Sequence, residues 1–158
     1  MLSLIARIEN LILVTFLSAM IGLAILQIVL RNVFQSGYTD GDSMLRILVL
    51  WVGMFGAVVA TRERKHIAID VLTRYISERA RSLVGLLVDI FACSVCAIIG
   101  WFSARMVMID YEAGGTAFSQ VPIWAMELIL PFAFGVITLR YCLFILLRLG
   151  ELSAGGEA

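Results

Sequence analysis

Four long apolar stretches, separated by short charged segments, occupy most of the 158 residues. That layout constrains the fold more than any single motif. The hydrocarbon core of a bilayer is about 30 Å thick, so a spanning helix needs roughly 20 mostly apolar residues. Residues 11–30 meet this without one charge. Residues 47–61 are uncharged but short, and the stretch extends back through Ser43 past Arg46. Residues 83–104 contain one charge, Asp89, and residues 122–149 include Glu127 and Arg140. The apolar residues run continuously rather than alternating, which argues against membrane β-strands. The expected fold is an all-α integral membrane protein with transmembrane helices at about 10–31, 43–61, 78–111 and 122–149. These form a single domain over 1–150, with a flexible tail at 151–158. Only 15% of the residues are charged, against about 25% in soluble domains, so little chain is left for a soluble catalytic unit.

Formal net charge is zero, and nothing points to nucleic acid; the distribution of charge is more informative. Arg62, Arg64, Lys65, Arg74, Arg79 and Arg81 crowd between the second and third spans. Asp110 and Glu112 lie between the third and fourth, with Arg105 at the helix edge. The positive-inside rule then places the 62–82 segment in the cytoplasm, and with four spans both termini are cytoplasmic too. The first apolar run is longer than a signal-peptide core and lacks a small-residue cleavage site, so it reads as a retained helix.

Residues 1–10 read as a mildly amphipathic segment along the interface. Gly37, Asp40, Gly41 and Asp42 mark a loop over 32–42, and Asp42 or Ser43 is placed to cap the second helix. Ile67, Val71, Leu72, Tyr75 and Ile76 recur at helical spacing, with Asp70, Arg74, Glu78 and Arg81 on the other side. That pattern predicts a short amphipathic helix on the membrane surface between the second and third spans. Gly114 and Gly115 end the third helix. Pro122 suits the first turn of the fourth, and Pro131 kinks it because it cannot donate to the Glu127 carbonyl.

Ionisable residues inside a membrane are the default candidates for chemistry. Asp89 shares a face with Gly85, Cys93, Cys96, Gly100 and Ser103. One reading makes it an ion or proton site. The other, which the lack of a second carboxylate beside it favours, makes it part of a helix contact partnered by an arginine or a backbone group. Glu127 and Arg140 lie near opposite ends of the fourth helix and read as snorkelling side chains. Gly53, Gly56, Ala57 and Ala60 give the second helix a small-residue face of the packing kind. Cys93 and Cys96 form a C-x-x-C that reads as packing inside an apolar helix rather than redox or metal chemistry. His66 alone makes no metal site. Trp51, Trp101 and Trp124 suit interface anchoring. There is no phosphate-binding glycine loop and no catalytic triad, so neither an enzyme nor a cofactor is expected.

The spacing Arg46-x4-Trp51-x4-Gly56-Ala57, then Ala60-x-Arg62-x3-His66-Ile67-x-Ile69-Asp70-x-Leu72, resembles the small membrane subunit of tripartite ATP-independent periplasmic (TRAP) transporters, the DctQ-like family. Pro122-x-Trp124, Pro131 and Arg140 extend the resemblance over almost the whole chain. The chain departs from the family at an acidic pair before Arg46, where it has Asp42 and Ser43; Asp42 remains at i,i+4 from Arg46. The resemblance implies a non-catalytic subunit that packs against and anchors a large permease subunit. That partner carries the substrate and sodium sites, and a periplasmic substrate-binding protein delivers organic acids to it. Two other readings compete. A self-sufficient proton-coupled carrier would have to use Asp89, and a membrane redox protein would use Cys93 and Cys96.

Overall fold

The computed structural model describes residues 2–33, 41–62, 78–118 and 121–154. Four helical spans dominate: α1 (Leu2–Val33), α2 (Gly41–Arg62), α3 (Glu78–Ala113), and a fourth divided into α4 (Ile123–Glu127) and α5 (Ile129–Ala154). Each of the four is long and apolar enough to cross a membrane. The surface helix expected between the second and third spans, with His66 and Asp70, lies outside the described residues.

The helix ends follow local chemistry. Gly114 adopts φ 65°, a left-handed conformation that glycine accepts without a Cβ penalty. Its N–H closes α3 by donating to the Asp110 carbonyl at 3.2 Å. A two-stranded antiparallel hairpin follows, Thr116–Phe118 (β1) against Val121–Pro122 (β2). The helical ladder is interrupted at Leu128. Pro131, with no N–H for the Glu127 carbonyl, accounts for the break between α4 and α5.

Three boundaries differ from expectation. Residues 2–10 continue α1 rather than forming a separate interfacial segment, because polar side chains there find partners on α2 and α5. Helix α2 begins at Gly41, so Asp42 sits in its first turn. No ion pair joins the exposed Asp42 to Arg46 among the described residues. Finally, α5 continues to Ala154, into the expected tail.

Packing runs in the order α1, α2, α5, α3. The small core of Val58, Ala133 and Ile137, flanked by Met54, Ala57, Cys96, Val136 and Tyr141, sits where α2, α3 and α5 meet. Helix α1 is held to α2 by aromatic contacts, with Phe16 tilted against Trp51 at 5.5 Å and stacked on Phe55 at 5.8 Å between ring centroids. Large apolar side chains such as Leu11, Ile25, Phe91, Trp101 and Leu146 remain exposed, as expected where lipid is the solvent. Helices α3 and α5 pack tightly at Gly100, where a Cβ would lie 3.3 Å from Phe134 Cβ. Gly100→Leu is therefore expected to destabilise the chain itself by about 1–3 kcal/mol through overpacking, read as a lower midpoint in a denaturing-detergent titration.

Candidate functional site

The polar residues within the spans gather into local clusters. At the end where α2 terminates, Glu9 of α1 binds two arginines. Arg62 donates through Nη1 to Glu9 Oε2 and to the Ala6 carbonyl, both at 3.1 Å, and through Nη2 to Asn10 Oδ1 at 3.0 Å. Arg140 of α5 bonds Glu9 Oε1 through Nη2, and the Val58 carbonyl and Thr61 Oγ1 through Nη1. The three charged side chains are only 15–26% exposed. Arg140 thus turns inward to bind α1 and α2, rather than snorkelling outward as its place in the sequence indicated. Two guanidiniums around one carboxylate, with backbone carbonyls accepting further hydrogen bonds from them, satisfy groups that hydrocarbon would leave unpaired. The sequence reading missed Glu9. Its signal was there: an acid near the start of one span, level with the arginine ending the next.

Toward the start of α3, Asp89 is 1% exposed. Its Oδ2 lies 3.5 Å from Arg148 Nη1 on α5. Gly85, one turn earlier, makes the space: a Cβ there would overlap the Arg148 guanidinium. Asp89 therefore has its arginine within the same chain. Cys93, the next residue on this face, meets Cys142 of α5 with the sulfurs 3.4 Å apart.

At the opposite end, Trp51 donates from Nε1 to the Met126 carbonyl at 3.1 Å, tying α2 to α4. Trp124 packs edge-on to Tyr111, with centroids 5.4 Å apart. Glu127 faces Asp110, and its Oε2 is buried without a hydrogen-bond partner among the described residues. Pro122 precedes α4 as its extended N-cap. Pro122, Trp124 and Pro131 thus shape this turn together.

Along α2, the small residues divide between two sides. Ala57 packs on the core. Among the described residues, Gly53 and Gly56 have no neighbour within 4 Å of where a Cβ would stand, and Ala60 is exposed. Trp101 is also exposed, toward the surroundings of α3. Among the described residues no group of three or more His, Cys, Asp or Glu side chains is arranged to hold a metal ion. In chemical terms the described residues offer charge-matched helix contacts and an open small-residue face.

The family model for the DctQ component of tripartite ATP-independent periplasmic transporters matches residues 20–150. The sialic acid TRAP transporter permease protein SiaT of Haemophilus influenzae is 35% identical over 81 residues, half of this chain and 13% of that protein. A putative TRAP transporter small permease protein of Haemophilus influenzae is 28% identical over 86 residues, 54% of this chain and 53% of its relative. The isethionate TRAP transporter permease protein DctMQ of Oleidesulfovibrio alaskensis is 23% identical over 100 residues, 63% of this chain and 16% of that protein. The chain thus spans little more than half of one of these relatives and under a fifth of the other two. With the family pattern covering its last three spans and part of its first, this multi-pass membrane protein belongs to the DctQ family of small TRAP transporter subunits.

Proposed function

We propose that the chain is the scaffolding subunit of a secondary transporter in a bacterial cytoplasmic membrane. It anchors a large permease subunit that takes up organic acids by ion-coupled symport, supplied by a periplasmic binding protein. Both termini and the basic 62–82 segment face the cytoplasm. The observation that carries this reading is the open face of α2. A Cβ at Gly53 or Gly56 would meet nothing within 4 Å among the described residues, and small residues on a span let another helix approach closely. Family membership supports the same role, as does the SiaT relative, in which the matched segment is a small part of a longer permease protein. The sequence candidates Asp42, Arg46, Trp51, Gly53, Gly56, Ala57, Arg62, His66, Asp70, Asp89, Gly100, Pro122, Trp124, Pro131 and Arg140 take two roles in this reading. Those placed inside the chain shape the scaffold and the open α2 positions meet the partner, while His66 and Asp70 lie outside the described residues.

The self-sufficient carrier is the weaker reading. It needs a membrane carboxylate free to exchange protons, whereas Asp89 is paired with Arg148. The test is an affinity pull-down of the tagged chain from native membranes in mild detergent, with co-purifying chains identified by mass spectrometry. A stoichiometric large polytopic partner is expected. A lone chain or a homo-oligomer, with proton-coupled transport lost in Asp89→Asn, would overturn the scaffold. Gly56→Leu is expected to reduce partner recovery at least fivefold while leaving the melting temperature of the isolated chain unchanged. Full recovery would remove α2 from the interface.

A further inference from the structure

The contact between α3 and α5 contains a pair of thiols that nothing in the scaffold role uses. We propose that Cys93 and Cys142 form a modification site, a membrane dithiol that a lipid hydroperoxide oxidises to a disulfide joining the two helices. Their sulfurs are 3.4 Å apart, so closing to a bond of about 2.05 Å needs a movement of only about 1.4 Å. Cys93 Sγ is also oriented by the Thr138 carbonyl at 3.8 Å. The pair lies between two fixed points. On one side Asp89 is paired with Arg148, and on the other Gly100 packs on Phe134. The helices are therefore held in register where the sulfurs meet. Cys96, the other half of the C-x-x-C, instead packs on the core around Val58.

Access is asymmetric. Cys142 is exposed and Cys93 half-buried. The surface around Cys142 is apolar, with Leu139, Leu143 and Leu146 exposed. An open groove of about 440 Å³, lined by Ala97, Gly100, Trp101, Gly135 and Cys142, gives an alkyl chain a path to the sulfur. The oxidant suited to this site is dissolved in the bilayer. The Cys142 sulfur attacks the terminal oxygen of R–O–OH, the O–O bond breaks, and the alcohol R–OH leaves with a sulfenic acid on Cys142. The Cys93 sulfur then displaces that hydroxyl as water and forms the S–S bond. Two thiols and one hydroperoxide give one disulfide, one alcohol and one water; the sulfurs lose two electrons and the peroxide gains them. A sulfenic acid beside a second thiol takes this reversible course ahead of deeper oxidation. Thiols in apolar surroundings are slow nucleophiles, so the conversion requires sustained peroxide exposure.

The test uses the full chain in membranes treated with cumene hydroperoxide. Remaining thiols are then capped with N-ethylmaleimide and counted by intact mass. The untreated chain carries three caps. The treated chain is expected to carry one, returning to three after dithiothreitol. Cys96→Ser should fall from two caps to none, whereas Cys93→Ser and Cys142→Ser should form no disulfide. Three caps retained after treatment, a loss that dithiothreitol does not reverse, or a disulfide that survives Cys93→Ser would each overturn the proposal. Should a serine variant fold poorly, fragmentation of the linked peptide from the unmutated chain decides the matter. A bond placed at Cys93 supports the pair, and one at Cys96 rejects it.

Discussion

Glu9→Ala is expected to be among the most damaging single substitutions outside the apolar core, costing about 3 kcal/mol. Glu9 is the shared acceptor for Arg62 and Arg140, and its removal leaves two guanidiniums facing one another near the end of α2. Breaking a buried pair by deleting one partner typically costs about 3–5 kcal/mol. The residual exposure of these side chains places the effect at the lower end. The measurement is the midpoint of a denaturing-detergent titration followed by circular dichroism. A change of about 0.5 kcal/mol or less would mean that water screens the cluster as at an ordinary surface. Glu9→Gln keeps an acceptor oxygen for one arginine and should fall between the two.

Arg148→Ala is expected to have a comparable effect through the opposite charge. Asp89 is almost completely buried, and the substitution removes the guanidinium facing its Oδ2. Arg148 is not its sole partner, so a loss of about 3 kcal/mol, again the lower end for a broken buried pair, is the expected result. Adding Asp89→Asn to Arg148→Ala should recover part of the loss, because no uncompensated charge then remains. The cycle is read in the same titration. If the double variant is as unstable as the sum of the single ones, the two residues are not coupled. Gly85→Ala should reproduce a milder version, since the added methyl displaces the tip of a flexible side chain.

How far the sequence forecasts this architecture depends on the range of the interaction involved. The four spans were legible because residues 11–30 and the later apolar runs are long enough to require a bilayer. The end of α3 at Gly114 and the break before Pro131 were legible because each follows from one residue's backbone chemistry. Arg140 was not. Its residue type and depth suit snorkelling, and only the meeting of α1, α2 and α5 reveals Glu9, Val58 and Thr61 as its partners. Cys93 was read against Cys96, three residues away, whereas its contact is Cys142 on another helix. The same limit applies to the small-residue faces. Gly56 and Gly100 look equivalent in sequence, yet Phe134 packs against Gly100, whereas a Cβ at Gly56 would meet nothing within 4 Å among the described residues.

The placement of the charges also sets an order for biogenesis. As the chain leaves the ribosome, the first hairpin, α1 with α2, already contains Glu9 and Arg62 and can enter the bilayer with its carboxylate matched. The second hairpin, α3 with α5, likewise carries Asp89 and Arg148. Each hairpin thus enters with one carboxylate–arginine pair already complete, and Arg140 finds its acceptor, Glu9, in the earlier half. The Arg140–Glu9 contact that ties the two hairpins together can form only after the last span has been synthesised.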